Sequence, residues 1–236
     1  MDPIVLVRAD ASETFGVGPS ALADAGAEVV VWEAIRGEPR PSLDAIGGII
    51  VGGSTFNIEH TGDQPFIVAM RDVTREAVDR ATPFLGLCFG SQLLAWSLGA
   101  SVYKAPEREF GYTPLHPTAS AAEDPVLGHY AEGDMVFQWH MDTFDLPAGA
   151  ALLATGDAVA HQAIRVGDAA WATQFHLEVD RGELDAWVAE VADIVERDWG
   201  KTPAQIAAEA GMHQAAHEAR GAEVFRRFAK VVQERA

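Results

Sequence analysis

Pro83-Phe84-Leu85-Gly86-Leu87-Cys88-Phe89-Gly90-Ser91-Gln92 runs from an apolar strand pattern into an apolar helix pattern with a cysteine at the junction. Residues 83–87 suit a buried strand, and residues 91–98 suit a helix stopped by Gly99. A side chain on so sharp a turn is thrust above the sheet edge, and its backbone is strained. The turn closes only if the residues two before and two after are small, and here both are glycine, Gly86 and Gly90. The helix N-terminus then faces the sulfur and favours the thiolate. Its opening N–H groups can receive an oxyanion. A lone cysteine is otherwise most often buried and inert. The two flanking glycines at a strand–helix junction favour the reactive reading.

Outward from this turn, short β-branched runs alternate with helical patterns. Strands are expected at 4–8, 28–32 and 46–51, and helices at 19–26 and 64–80, where Ile67, Met70, Val73 and Ala77 keep helical spacing. This rhythm implies an α/β fold: a doubly wound, mostly parallel sheet with helices on both faces. Between residues 100 and 171 the segments are expected to be short, with prolines scattered among them. Strands are expected at 136–139, 151–154, 162–166 and 170–175, with antiparallel additions to the sheet. Residues 181–198 read as one amphipathic helix. Thr202-Pro203-Ala204-Gln205 has the pattern of a capped helix start, and 221–235 reads as a last helix. No linker composition interrupts the chain. Residues 1–200 are therefore expected to form the main body, and 201–236 a helical extension of the same domain.

The 236 residues carry 35 acidic and 17 basic side chains, a net charge of −18. That balance argues against sequence-independent nucleic-acid binding, which needs cationic surface. No apolar run approaches the ~20 residues of a membrane span. The first residues, Met1-Asp2-Pro3-Ile4-Val5-Leu6-Val7-Arg8, read as a strand and lack the basic n-region of a signal peptide. Cys88 is the single cysteine, so no disulfide framework forms within the chain. A reducing cytoplasm is the expected setting.

A second constellation lies at Gln174-Phe175-His176-Leu177-Glu178. Side chains at i and i+2 of a strand share a face, so Glu178 can orient His176 and stabilise its cation. Base, orienter and the Cys88 nucleophile together form the general triad arrangement. Taken alone, the pair could equally be a surface ion pair.

These two motifs, in this order and roughly ninety residues apart, resemble those of the class I glutamine amidotransferases. The resemblance runs from Ile4 to about Trp199 and is specifically to stand-alone relatives of the GMP synthetase glutaminase domain. Residues 86–92 match G-x-C-x-G-x-Q, and residues 174–178 match Q-F-H-x-E, with Leu177 where many members have proline. The resemblance implies a flavodoxin-like fold and a triad of Cys88, His176 and Glu178 that releases ammonia from glutamine. It implies an oxyanion site at the N–H groups of Gly53, in the Gly52-Gly53-Ser54 turn, and Phe89. Gln92 would bind the substrate amide. Trp139-His140-Met141-Asp142 resembles the segment that recognises the amino-acid end of the substrate. Met141 replaces a common glycine there, which is tolerable unless the position needs a positive φ. Glu109 matches a family position with a supporting role. No metal or organic cofactor is expected.

Three functions are compatible with these residues. One is an ammonia-generating glutaminase with a synthase partner chain. Another is a free-standing hydrolase or transferase of γ-glutamyl amides or peptides. The last is a non-enzymatic, redox-sensitive binding protein. The partner in the first two is a small molecule, and a homodimer is left open. His213 and His217, four apart on a helix, could pair on a metal, but no third ligand is evident and a solvated helix face is expected.

Overall fold

The computed structural model describes residues 2–61 and 63–235. The strands are β1 (Ile4–Val7), β2 (Val29–Trp32), β3 (Gly48–Val51), β4 (Phe84–Leu87), β5 (Val102–Pro117), β6 (Asp134–Phe144), β7 (Ala151–Thr155), β8 (Ala163–Val166) and β9 (Ala170–Thr173). The helices are α1 (Gly18–Asp24), α2 (Ile58–Thr61), α3 (Pro65–Asp79), α4 (Phe89–Ser97), α5 (Arg181–Glu190), α6 (Ala192–Trp199) and α7 (Pro203–Arg235). The sheet order is β2-β1-β3-β4-β9-β8-β7-β5-β6. The first five are parallel, and β8, β7, β5 and β6 add antiparallel.

Strands β1, β3, β4 and β9 are buried along their whole length, as parallel strands covered on both faces must be. The two-residue period of a strand divides them between two cores. Ile4, Leu6, Ile50 and Leu85 pack with Leu22 of α1 and Phe225 and Phe228 of α7. Val5, Val7, Ile49, Val51 and Phe84 pack on the other face with Ile67 and Met70 of α3 and Leu93 and Leu94 of α4. A third apolar cluster joins Phe110 and Tyr112 of β5 and Phe137 of β6 to Leu184 and Val188 of α5, Val195 of α6, and Ile206 and Ala210 of α7.

The middle of the chain departs from expectation. In place of short segments, β5 runs for 16 residues and β6 for 11. The ribbon tolerates Pro106 and Pro114 because β5 pairs with β6 from Val102 to Leu115 and with β7 only at His116 and Pro117. Along the ribbon one edge of β5 therefore lies outside the ladder, and a missing N–H there breaks no bond. Pro106 sits where the register shifts, between Lys104 and Glu109. The expected helix over 181–198 is two helices that meet at Val191. The expected helices after Thr202 are one continuous helix, α7, of 33 residues. Its start is the capping box read from the sequence: Gln205 N–H donates to Thr202 Oγ1 at 3.2 Å, and Thr202 N–H to Gln205 Oε1 at 2.7 Å.

Candidate active site

The turn at Cys88 carries the strain its sequence implies. β4 ends at Leu87, α4 begins at Phe89, and Cys88 between them has φ +48° and ψ −101°. A Cβ on Gly86 would lie 2.4 Å from the Gly90 carbonyl oxygen, and one on Gly90 would lie 2.3 Å from that of Val51. Neither position can hold a side chain, so both glycines are required for the strand and helix to approach. The Cys88 N–H donates to Thr173 O at 2.8 Å and ties the turn to the end of β9. The sulfur lies 3.9 Å from the Trp139 carbonyl oxygen and 3.8 Å from Gln174 Nε2. Cys88 is 6% exposed.

β9 ends at Thr173, two residues earlier than expected, and Gln174 to Glu178 continue as irregular backbone. Hydrogen bonds to neighbouring segments replace the ladder. Gln174 N–H donates to Gln162 O at 2.8 Å, and His176 N–H to Phe137 O at 2.9 Å. The pair still forms, with His176 Nδ1 2.6 Å from Glu178 Oε1 and both side chains buried. Nδ1 is thereby committed to the carboxylate, which leaves Nε2 as the nitrogen for the sulfur. Burial opposes charge on this ring, but the Cys88 sulfur and the Glu178 carboxylate outweigh it and raise its pKa well above the ordinary value. An imidazolium beside the sulfur is the partner a thiolate needs. Trp187 packs edge-on against the ring, 5.3 Å between centroids.

The residues expected to bind substrate form a buried chain of hydrogen bonds leading away from the sulfur. Gln174 reaches Cys88, and its Oε1 accepts from Gln92 Nε2 at 3.4 Å. Gln92 Nε2 also donates to Asp142 O at 3.3 Å. The same carbonyl is 3.0 Å from His140 Nδ1, and His140 Nε2 is 3.0 Å from Glu109 Oε2. Glu109 faces His140 across the β5–β6 ribbon and also accepts from Gln162 Nε2 at 2.7 Å. The Asp142 carboxylate takes Lys104 Nζ at 2.8 Å and the Asn57 amide. Met141 lies between two inward residues of β6 and is 38% exposed, and its φ is not positive. The lost glycine is therefore accommodated by strand alternation.

The Gly52-Gly53 turn follows β3 as expected and touches the His–Glu pair. A Cβ on Gly53 would lie 2.8 Å from His176 Cε1. Its N–H is not open, however: it donates to Glu13 Oε2 at 2.8 Å. Glu13 has no sequence signal, because it stands in a loop between β1 and α1 with no motif around it. Gln174 was legible in principle, since it precedes His176 by two residues. His217 corrects an expectation. In place of a solvated face it is fully buried, edge-on to Tyr112, and burial lowers its pKa to about 3. Among the described residues no cluster of three metal-ligating side chains occurs, and no helix is long and apolar enough to cross a membrane.

The buried carboxyls fix a pH dependence of stability. Burial and the Glu178 and Glu183 charges raise Glu13 to about 8, and burial and Glu178 raise Glu183 to about 7. Between 4.5 and these values the unfolded chain releases protons that the folded chain keeps, so stability falls as pH rises. The raised His176 acts in the same direction above its ordinary value, and His217 acts only below it. Denaturant melts between pH 6.5 and 8 should show a loss of about 2 kcal/mol, flattened in Glu13→Gln.

A strained cysteine at the head of a helix with a His–Glu pair beside it, on an α/β sheet, is an arrangement that can carry acyl transfer through a thiol. The sequence profile of the glutamine amidotransferase class-I family matches residues 20–191, and the chain belongs to that family. A glutamine amidotransferase-like protein of Salmonella typhimurium, YfeJ, is 28% identical over 141 residues, 58% of this chain and 59% of that protein. A GMP synthase of Porphyromonas gingivalis is 31% identical over 169 residues, 70% of this chain and 31% of the synthase. The chain thus spans from about a third to three fifths of these curated relatives. The fold matches a crystal structure of a glutamine amidotransferase from Thermotoga maritima with a TM-score of 0.86 at 23% identity, covering 97% of this chain and 98% of that one. One from Methylobacillus flagellatus gives 0.88 at 24% identity, covering 98% and 95%.

Proposed function

We propose that this chain hydrolyses the side-chain amide of glutamine through a γ-glutamyl thioester on Cys88. The observation that carries the reading is the strained, helix-capping Cys88 set against the buried His176–Glu178 pair. The thiolate adds its electron pair to the amide carbon, and the carbonyl π electrons move onto oxygen. The Phe89 N–H, at the opening of α4, is a donor for that oxyanion. Collapse breaks the carbon–nitrogen bond, and the nitrogen leaves as ammonia with the proton from His176. His176 then takes a proton from water. The resulting hydroxide attacks the thioester, and the thiolate departs from glutamate. Gln92 holds the substrate amide, and His140 and Asp142 hold the amino-acid end, with Glu109 fixing His140 and Met141 outside. Gly52 and Gly53 line the carbonyl side. Neither half-reaction calls for a metal or organic cofactor.

The GMP synthase relatives support a synthase as the consumer of the ammonia, either as a partner or in the same assembly. Residues 201–236 join residues 1–200 as one unit in this reading, because Val224, Phe225 and Phe228 complete a core of the sheet. A γ-glutamyl amide or peptide is the second reading. The half-buried Trp139 and Trp187 favour it, since they give the proton-donating ring an apolar neighbourhood suited to a larger leaving amine.

Incubation with a glutamine-derived diazo-ketone should add one inhibitor mass, mapped by peptide sequencing to Cys88. An unmodified protein would remove the mechanism. Glutamate release from glutamine against a panel of γ-glutamyl amides then separates the two readings.

A further inference from the structure

The loop of residues 9–16 and the turn of residues 52–55 are stitched together at the mouth of the site. Ser54 Oγ donates to Ala9 O at 3.2 Å, and Thr55 N–H donates to Asp10 Oδ2 at 3.1 Å. Glu13 makes the innermost stitch. Its Oε1 accepts from Phe15 N–H at 2.7 Å and its Oε2 from Gly53 N–H at 2.8 Å. The loop is itself fixed on the triad segment, since Val17 N–H donates to Glu178 O at 2.9 Å and Thr14 Oγ1 to Glu183 Oε1 at 2.7 Å. Glu13 is 2% exposed, and its carboxyl fills the space a Cβ on Gly52 would need, 2.7 Å from Oε2. The Gly53 turn is thus wedged between the His176 ring and the Glu13 carboxyl, 2.8 Å and 3.4 Å from the Cβ it lacks, and Glu178 bonds to that ring.

We infer that Glu13 is a positioning residue that sequesters the Gly53 N–H, so that the oxyanion site is completed only when this peptide group leaves the Glu13 carboxyl for the substrate oxygen. The inference rests on the amidohydrolase reading of the site. One N–H cannot serve two acceptors on different sides at full strength, because hydrogen bonds weaken steeply as they bend. The developing oxyanion must therefore compete with a buried acceptor already in place. The device withholds part of the catalytic machinery until a bound substrate or a docked partner shifts the 52–55 turn. The energy of this release belongs to the activation barrier, so the restraint acts on kcat more than on substrate affinity.

The test compares the full-length protein, at a pH above 8 where Glu13 is ionised and both its oxygens accept, with Glu13→Ala, which removes the acceptor, and Glu13→Gln, which keeps the volume but can satisfy only one of the two N–H groups. Glutamate release is measured with glutamine, and inhibition is measured with glutamate γ-semialdehyde, which forms an oxyanion-bearing adduct on a thiol. A hydrogen bond to such an acceptor corresponds to about tenfold in an equilibrium. Glu13→Ala should raise kcat by about that factor with little change in KM, and the aldehyde should bind about tenfold tighter. Glu13→Gln should fall between it and the wild type. A carboxyl that merely supported the fold would lower kcat in both variants. If Glu13→Ala does not fold, Glu13→Gln decides by the same readouts. Lower or unchanged kcat and aldehyde affinity, in a wild type that is active, would overturn the role of Glu13 alone. Absence of glutamate release and of a diazo-ketone adduct in all three proteins would instead overturn the amidohydrolase reading and the inference with it.

Discussion

Cys88→Ala should abolish glutamate release, a loss of at least about 10⁴-fold, while the protein keeps its fold and its melting behaviour. Apart from the His176 ring, which keeps its Glu178 partner, the sulfur makes only weak contacts, to Trp139 O and Gln174. Alanine also retains the strained φ of +48°, which makes it the proper control. Cys88→Gly is the informative companion. It removes the same nucleophile and relieves the turn, and it should be more stable than Cys88→Ala by about 1 kcal/mol. Thermal melts of the two variants, with activity measured in parallel, separate the strain from the chemistry. Equal stability of the two would mean that the turn relaxes without the sulfur. Residual turnover at wild-type rate in either would show a different nucleophile.

The second large effect is expected far from the sulfur in sequence. Gly221 lies inside α7, and a Cβ there would fall 1.8 Å from the Leu177 carbonyl oxygen. That contact is with backbone, so no rotamer change can relieve it. Gly221→Ala should cost about 2–3 kcal/mol, the range for overpacking a closed interior, even though alanine is the better helix former. Leu177 stands between His176 and Glu178. The same substitution should therefore lower kcat by displacing the pair that Leu177 joins. Denaturant midpoints and kcat measured on one preparation test both halves. A stable, fully active Gly221→Ala would show that α7 can lift from the 176–178 segment without consequence.

How far the sequence discloses the molecule depends on whether a position is decided locally. The Cys88 turn was legible because Gly86 and Gly90 are demanded by contacts within a few residues of themselves and with the neighbouring strand. The strands β1, β3 and β4 were legible because full burial forces continuous apolar runs. The β5–β6 ribbon was hidden by its prolines, whose tolerance depends on which edge of β5 carries the ladder. His217 reads as polar on a charged helix, and its burial comes from tertiary packing that includes Tyr112 of β5. Glu13 was hidden for the same reason. Its partner, Gly53, is forty residues away, and nothing around it marks an acid as buried. Met141 is the converse case: alternation along β6 turns a departure from a family pattern into a solvent-facing substitution.

The ribbon has one further consequence. Cys88 and the His176–Glu178 pair follow on the ends of the central strands β4 and β9, whose side chains are divided between two cores. His140, Asp142 and Glu109 are mounted on an outlying two-stranded arm, most of whose length leans on a separate cluster of aromatic side chains. In the proposed function, chemistry and choice of substrate thus rest on mechanically different parts. Descendants of this chain can retune what they accept by remodelling the arm, while the reacting centre stays as it is.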